Sequence, residues 1–199
     1  MEAQRTRQTT CHNCGRTVPG YDISNSGSVE TGYRELCTRC FNTTLAESDG
    51  LDRFEHAEFA PIELTDCDGG AHIFHFRARL FGPGVALDAF EVRDGEPTGY
   101  QFQVIGEPAG DPLALLARLI EKIRRALAVK HVREGELGPQ IADQQIVRGR
   151  IGWDESEDGR VPLLVIDGRE ITWDELGRML MTFEGWQFKL EIRDKSEEL

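Results

Sequence analysis

Four of the five cysteines stand in two pairs of equal spacing, "CHNCG" from Cys11 and "CTRCF" from Cys37. Two residues between thiolates let one tight turn present both sulfur atoms to one ion, and structural zinc takes four such ligands in a tetrahedron. In a reducing compartment, paired CxxC motifs favour metal ligation over disulfides. We therefore predict one structural Zn²⁺ ion per chain, bound by Cys11, Cys14, Cys37 and Cys40, with Cys67 left as a free thiol.

The stretch between the two cysteine pairs predicts a hairpin followed by a helix. Short β-prone runs at 18–23 ("VPGYDI") and 29–36 ("VETGYREL") flank the turn-rich "SNSGS" at 24–28. The second cysteine pair then begins a segment that can form a short helix. This order of knuckle, hairpin and ligand-bearing helix start resembles the treble clef, and the zinc ribbon is the close alternative. The resemblance covers about the first 50 residues, so we expect a zinc module at 1–50.

Some treble clefs belong to nucleases of the HNH type, in which histidines on or near the hairpin bind a second, catalytic metal. In this sequence no histidine lies between Gly15 and Leu36. His12 lies between two ligands and could replace one of them, but four cysteines already complete a tetrahedral shell. We therefore expect His12 to point away from the metal, and no catalytic residue is transferred from the resemblance.

The charge of the chain argues against nucleic acid and membranes as default partners. The sequence has 35 acidic and 23 basic side chains, a net charge of −12, and its overall field repels phosphate backbones and anionic lipid headgroups. Its first residues, "MEAQRTRQTT", are polar, and no apolar run approaches the length of a membrane span. We expect a cytoplasmic protein whose partner is another protein.

After a polar linker at 51–58, residues 59–199 predict one larger domain. Its first part has strand patterns at 59–66, 71–81, 85–93 and 100–106, separated by Gly, Pro and Asp, which predict an antiparallel meander. Alternation in the second strand places His72 and His75 on opposite faces, so they cannot share one metal. The predicted core face of that strand also carries Phe74, Phe76, Ala78 and Leu80.

Residues 111–132 predict an amphipathic helix that packs on this sheet. The segment begins with Asp-Pro, and its apolar side chains recur at helical spacing. The expected core positions are Leu113, Leu116, Ile120, Ile123 and Leu127. The helix is also the one basic stretch of the chain, in which Arg118, Lys122 and Arg125 share a face. That face is either a solvated surface that balances acidic neighbours or a candidate patch for an anion or a partner.

The last third of the chain predicts strands at 145–153 and 185–192 with a short helix between them. Thr172 and Glu175 fit a capping box at the start of that helix. Residues 154–159, "DESEDG", imitate the start of a calcium loop, but Val165 stands where the bidentate acid is needed, so a hairpin turn is expected. Aromatic side chains are expected to supply core mass here: Trp173, Phe183, Trp186 and Phe188.

The segment "DGREITWDELGRMLMTFEGWQFKLEI", together with the double CxxC, resembles uncharacterised bacterial and phage-associated proteins whose C-terminal domain has no assigned function. The match is clearest over about the last 35 residues. It implies a bacterial or mobile-element setting and no particular activity.

These patterns together predict an α+β protein, with a small zinc module and a larger domain of antiparallel strands and two main helices. The sequence has no phosphate-binding glycine loop, no nucleophile elbow and no HExxH motif. We therefore expect a zinc-binding adaptor or regulatory protein that acts through protein–protein interaction and is not an enzyme. The alternative is nucleic-acid binding through the zinc module or the basic helix 113–133. A third interpretation is a hydrolase or nuclease whose acidic site the sequence does not identify.

Overall fold

The computed structural model describes residues 8–29, 32–51, 54–136 and 138–197. Within these ranges the chain forms three helices and thirteen strands, and all strand pairs are antiparallel. The α+β class is therefore confirmed. Over the same ranges, no helix is both long enough and apolar enough to cross a bilayer.

The N-terminal part consists of two small hairpins followed by a helix. Its elements are β1 (Gln8–Thr10), β2 (Thr17–Pro19), β3 (Ile23–Ser28), β4 (Gly32–Cys37) and α1 (Thr38–Asp49). The predicted hairpin and helix are confirmed, but the predicted turn "SNSGS" is wrong, because it lies within β3. Gly27 has a φ of 127° there and lies so close to the Gly32 carbonyl that a Cβ atom would clash. Glycine thus lets β3 extend to the end of the hairpin.

A four-stranded meander forms the centre of the molecule, as predicted. Its strands pair in the order β5 (Ile62–Thr65), β6 (Ala71–Phe81), β7 (Gly84–Arg93) and β8 (Glu96–Gly106). The predicted core face of β6 is confirmed, since Phe74, Ala78 and Leu80 are buried. His72 and His75 lie on opposite faces, with His72 beside Tyr100 and His75 beside Phe90.

Helix α2 (Pro112–Leu127) covers the core face of the meander, but its buried side is partly different from the predicted one. Asp111 caps the helix by accepting a hydrogen bond from the Leu113 N–H. Leu113 itself is 66% exposed, and the row facing the sheet is Leu115, Leu119, Ile123 and Leu127. Positions 113 and 115 lie about 200° apart around a helix, so burying Leu115 turns Leu113 to solvent.

The C-terminal part has its own small core. Its elements are β9 (Val132–Gly135), β10 (Gly138–Ile141), β11 (Gly149–Trp153), β12 (Pro162–Ile166), β13 (Arg169–Ile171) and α3 (Trp173–Met181). The β9–β10 hairpin is not among the sequence predictions. The capping box of Thr172 and Glu175 is confirmed, and "DESEDG" connects β11 to β12 in a hairpin as expected. The core residues of this part are Val132, Ile141, Ile166, Ile171 and Met179.

The strand predicted at 185–192 is wrong, because among the described residues none of this segment belongs to a strand. The aromatic core prediction also fails at three of its four positions. Trp173, Trp186 and Phe188 are 51%, 64% and 87% exposed, and only Phe183 packs partly against the C-terminal core. Apolar and polar residues do alternate in this segment, but no described strand pairs with it, so its apolar side chains are exposed to solvent.

The Asn42 side chain joins α1 to the central sheet. It is fully buried, donates from Nδ2 to the Ala78 carbonyl at 2.8 Å and accepts at Oδ1 from the Leu80 N–H at 2.9 Å. Strand β5 covers its neighbour β6 only over residues 71–74. Asn42 therefore occupies part of the β6 edge that β5 leaves open, where it replaces a strand partner.

Further contacts join the N-terminal part and the predicted linker to the sheet. Arg77 of β6 donates to the Tyr21 carbonyl at 2.6 Å, and the Tyr21 ring packs edge-on against Phe90. Leu51 and Phe54 contact the central core. Two residues of the predicted linker 51–58 thus pack on the central core, while the division into a module at 1–50 and one domain at 59–199 stays a prediction.

Asn42→Leu should lower the free energy of unfolding by about 3 kcal/mol, because it leaves the buried Ala78 carbonyl and Leu80 N–H without partners. Urea unfolding of the metal-loaded protein measures this. Asn25→Leu, at an exposed position of β3, is the control and should change stability by about 0.5 kcal/mol or less. Equal unfolding midpoints for Asn42→Leu and wild type would contradict this account of the contact.

The stability of the protein should also decrease as the pH falls below about 6.5, the pKa of an unfolded histidine. Asn42 Nδ2 lies 2.9 Å from His56 Nδ1, and burial lowers the pKa of His56 in the folded protein. As the pH falls, the histidine of the unfolded chain therefore binds a proton first. The contribution of His56 to the free energy of unfolding is complete above its unfolded pKa and is lost as the pH falls towards its lower folded pKa. His56→Gln should show a shallower dependence in urea unfolding between pH 7.5 and 5.5 with the metal kept saturating; identical slopes would contradict this.

Candidate metal centre

The first ligand pair lies on the turn between β1 and β2. Gly15 donates its N–H to the Cys11 carbonyl at 3.0 Å, and Cys11 donates to the Arg16 carbonyl at 2.9 Å. Gly15 has a φ of 70°, a conformation that side chains disfavour. The glycine after Cys14 thus lets the chain turn tightly enough to present both sulfur atoms on one side.

The second pair lies where β4 passes into α1. Cys37 is the N-cap residue of α1, and Cys40 lies in its first turn. The unpaired N–H groups and the dipole at a helix N-terminus favour negative charge, which suits two thiolates. Knuckle, hairpin and a ligand-bearing helix start follow one another in the order expected of a treble clef.

The four sulfur atoms have the spacing that one tetrahedral ion requires. One ligand atom from each of Cys11, Cys14, Cys37 and Cys40 lies within 4.8 Å of all the others, and Cys14 Sγ lies 3.9 Å from Cys37 Sγ. Tetrahedral zinc with metal–sulfur bonds of about 2.3 Å places its sulfur atoms about 3.8 Å apart. The cluster can therefore hold a metal ion, and four protein ligands leave no coordination position for a substrate, as in structural sites.

The environment of the thiols differs around the cluster. Burial acts to raise the pKa of Cys11, but hydrogen bonds from the backbone of Cys14, Cys37 and Asn13 outweigh it and lower the pKa to about 6. For Cys40, burial raises the pKa to about 12, and the neighbouring thiols add to this effect. A bound cation would lower the pKa of all four thiols, because it stabilises the four thiolates together.

Arg16 is a neighbour of the cluster that the spacing of the cysteines did not identify. Hydrogen bonds to the sulfur atoms of Cys14 and Cys37 raise the pKa of its guanidinium. A divalent ion with four thiolates would carry a net charge of −2, part of which Arg16 would offset. His12 points away from the ligands as expected, since its Nδ1 accepts a hydrogen bond from the Glu35 N–H at 3.2 Å.

The predicted basic patch is only partly open to a ligand. Lys122 donates from Nζ to the carbonyl oxygens of Gln103, Lys195 and Glu197 at 3.1, 2.9 and 2.8 Å. Arg118 reaches the Ile105 carbonyl at 3.4 Å, and Arg125 lies 3.9 Å from the Glu121 carboxylate. The role of Arg118, Lys122 and Arg125 as an anion or partner site stays a prediction.

A network of charged side chains around the β5–β6 turn was not predicted. Asp66 contacts Lys130 at 2.6 Å and His72 at 3.0 Å, and His72 contacts Glu91 at 2.9 Å. The Lys130 ammonium, followed by His72, holds the pKa of Asp66 well below its usual range. Asp66 also accepts from the N–H of Gly70. The network fixes the turn "CDGG" to β7 and to the residues after α2, and only the fold brings these residues together.

A cleft of about 670 Å³ lies between the central sheet and the C-terminal part. The charged side chains along it are largely paired with one another, as in the contacts of Arg133 with Asp143 at 3.0 Å and of Arg169 with Glu134 at 2.5 Å. Cys67, which also lines the cleft, is exposed and unpaired, as expected. Among the described residues, the four-cysteine cluster is the one group with the geometry of a metal site.

Three family models match successive parts of the chain. Residues 10–52, 55–128 and 131–197 each match a domain of unknown function, DUF7685, DUF7686 and DUF7713 respectively. The first match spans the cysteine cluster, the second the meander with α2, and the third the C-terminal part. The predicted likeness to domains without an assigned function is confirmed. Comparisons with curated proteins and with solved structures gave no match.

The purified protein should contain about one metal ion per chain, because the cluster offers one closed set of four thiolate ligands. Elemental analysis of protein prepared without added metal measures this. Cys37→Ser should lose most of the metal, whereas Cys67→Ser, which changes the cysteine outside the cluster, should retain it. Near-zero metal in the wild type, with all its thiols free to react, would contradict a metal centre.

Proposed function

We propose that the protein is a non-enzymatic adaptor or regulator that binds an extended segment of another protein along strand β11, and that zinc stabilises its N-terminal part. The main support for the proposal is a row of apolar side chains that crosses the C-terminal sheet and ends at its unpaired outer strand, β11. In the order from inside to outside, this row consists of Ile171, Leu164 and Ile151.

The three residues of the row differ in their exposure. Ile171 is 2% exposed and Leu164 packs partly against the core, but Ile151 is 57% exposed and is not among the side chains packed on that core. Trp153, two residues further along β11, is 68% exposed. Residues directly opposite one another on paired strands share a face, so Ile151 extends the core face to the edge of the sheet.

The backbone of β11 is also open on that side. The sheet has the order β11, β12, β13, so among the described strands none pairs with the outer edge of β11. An added strand would gain main-chain hydrogen bonds from this edge and could place an apolar side chain beside Ile151. Both properties favour an extended peptide segment as the ligand.

Zinc is the metal that we propose for the four-cysteine cluster. Four thiolates in a closed tetrahedral shell suit zinc, which needs no open position and no redox change in structural sites. Paired CxxC motifs that bind metal as thiolates are typical of a reducing compartment such as the cytoplasm of a bacterial cell, the setting that the sequence resemblance implies.

The two other functions have less support. Lys122 donates to three carbonyl oxygens of its own chain, and the net charge of −12 opposes a phosphate backbone. For a hydrolase, the partly buried acid Asp66 is engaged by Lys130 and His72 and does not form an open pair of carboxylates. Nucleic-acid binding and hydrolysis therefore rank behind the adaptor function.

A pull-down from the native host with tagged wild type should retain a protein that Ile151→Lys retains at least roughly tenfold less. A lysine in the apolar row removes the contact and introduces a charge at the edge. Ile73→Lys, which changes an isoleucine of 53% exposure on β6, is the matched control and should bind as wild type does.

Hydrogen exchange on the recovered complex tests the mode of binding. Amides of β11 that point outward should exchange more slowly in the complex, because an added strand would accept their hydrogen bonds. Equal retention of the partner by wild type and Ile151→Lys, or unchanged exchange along β11, would refute strand addition at this edge.

A further inference from the structure

We infer that the C-terminal segment from Trp186 to Ile192 pairs with the same segment of a second copy of the chain, antiparallel and centred on Leu190. This dimer contact uses a surface separate from the edge of β11 and does not depend on the function proposed above.

The segment is extended and is anchored at both ends. It runs from Trp186 to Asp194 without a turn or a bend. At its start, the Trp186 N–H donates to the Phe183 carbonyl at 2.9 Å and the two rings pack edge-on at 5.5 Å. Beyond its end, Lys122 of α2 holds the Lys195 carbonyl at 2.9 Å. The segment has therefore already lost part of the conformational entropy that strand pairing would cost.

The backbone of the segment has no strand partner within the described chain. From Gln187 to Ile192, no backbone group forms a hydrogen bond with another described residue. Four apolar side chains alternate with polar ones and are 64–87% exposed: Trp186, Phe188, Leu190 and Ile192. Alternation of this kind is the pattern of a strand with one apolar face.

The charges of the segment favour a second copy of the chain as its partner. Within one chain, Lys189 Nζ lies 3.1 Å from the Glu191 carboxylate, which Arg193 also contacts. In an antiparallel pair centred on Leu190, each Lys189 would also lie opposite Glu191 of the second copy, Phe188 opposite Ile192, and Trp186 opposite Asp194. Opposite charges and apolar pairs directly across from one another stabilise paired strands. Centring the pair on Lys189 instead would place two lysines opposite each other. Over residues 188–192 the sequence of the segment is thus complementary to itself in the register centred on Leu190.

The contact is small. Two strands that pair alone leave one side of each ring open to solvent, so Phe188 and Trp186 cover less than the roughly 150–250 Å² of a fully buried aromatic side chain. The paired area therefore lies below the roughly 1,200–2,000 Å² of stable interfaces, and we expect a weak dimer. A two-fold axis through Leu190 also closes the assembly at two copies.

Sedimentation velocity at protein concentrations of about 1–200 µM should show a monomer–dimer equilibrium. Leu190→Asp places two like charges at the centre of the pair and should weaken the dimer roughly tenfold or more. Leu113→Asp is the matched control, because this leucine is 66% exposed on α2, and Leu190 is 74% exposed. The control should dimerise as wild type does.

A charge exchange tests the register. Glu191→Lys places Lys189 of one copy opposite a lysine of the other and should weaken the dimer, whereas Lys189→Glu/Glu191→Lys should restore it. In a Cys67→Ser background, Leu190→Cys should form an intermolecular disulfide under mild oxidation, because opposite Cα atoms lie about 4.5–5.5 Å apart in such pairs. Leu113→Cys should not.

Three results would overturn the inference. They are a monomer at every concentration, a dimer that Leu190→Asp leaves intact, and a dimer that Ile151→Lys abolishes. The last result would mean that the segment of one copy occupies β11 of the other. A dimer that forms while the pull-down fails would leave this inference standing and remove only the function proposed above.

Discussion

The buried amide of Asn42 is the contact on which the arrangement of the N-terminal half depends. One side chain provides both a donor and an acceptor to the β6 backbone, at Ala78 and Leu80. Burying a polar side chain is costly unless its hydrogen bonds are made, so helix α1 can pack here only in the position that satisfies them. The same contact fixes the distance and the rotation of α1 relative to the central sheet.

The cysteine cluster lies close to Asn42 along the chain. Cys40 lies two residues before Asn42 in α1, and Cys37 caps the same helix. A metal ion held by both residues and by the β1–β2 turn would fix the start of α1 in space. The cluster and the central sheet are thus linked through about one turn of helix, although their sequence patterns are independent.

Sequence patterns were sufficient where the determining interactions are local. Ligand spacing identified Cys11, Cys14, Cys37 and Cys40, and period-two alternation identified the strands of the meander. Contacts between residues that are distant in the sequence could not be predicted from these patterns. Helix α2 has apolar side chains on more than one face, and the sheet decides that Leu115 is buried and Leu113 exposed. The alternation at 185–192 specifies an extended backbone but not its partner. An asparagine within a helix gives no sign that it will face a strand edge, so Asn42 was not identified.

The way in which the β6 edge is closed has a consequence for the fate of the protein in the cell. A side chain of α1, rather than another strand, occupies the β6 edge beside Ala78 and Leu80. Sheet edges with alternating apolar residues recruit strands from other chains and initiate aggregation when they are uncovered. Helix α1 therefore has a second effect besides packing, because its Asn42 amide keeps this edge closed to strands of other chains.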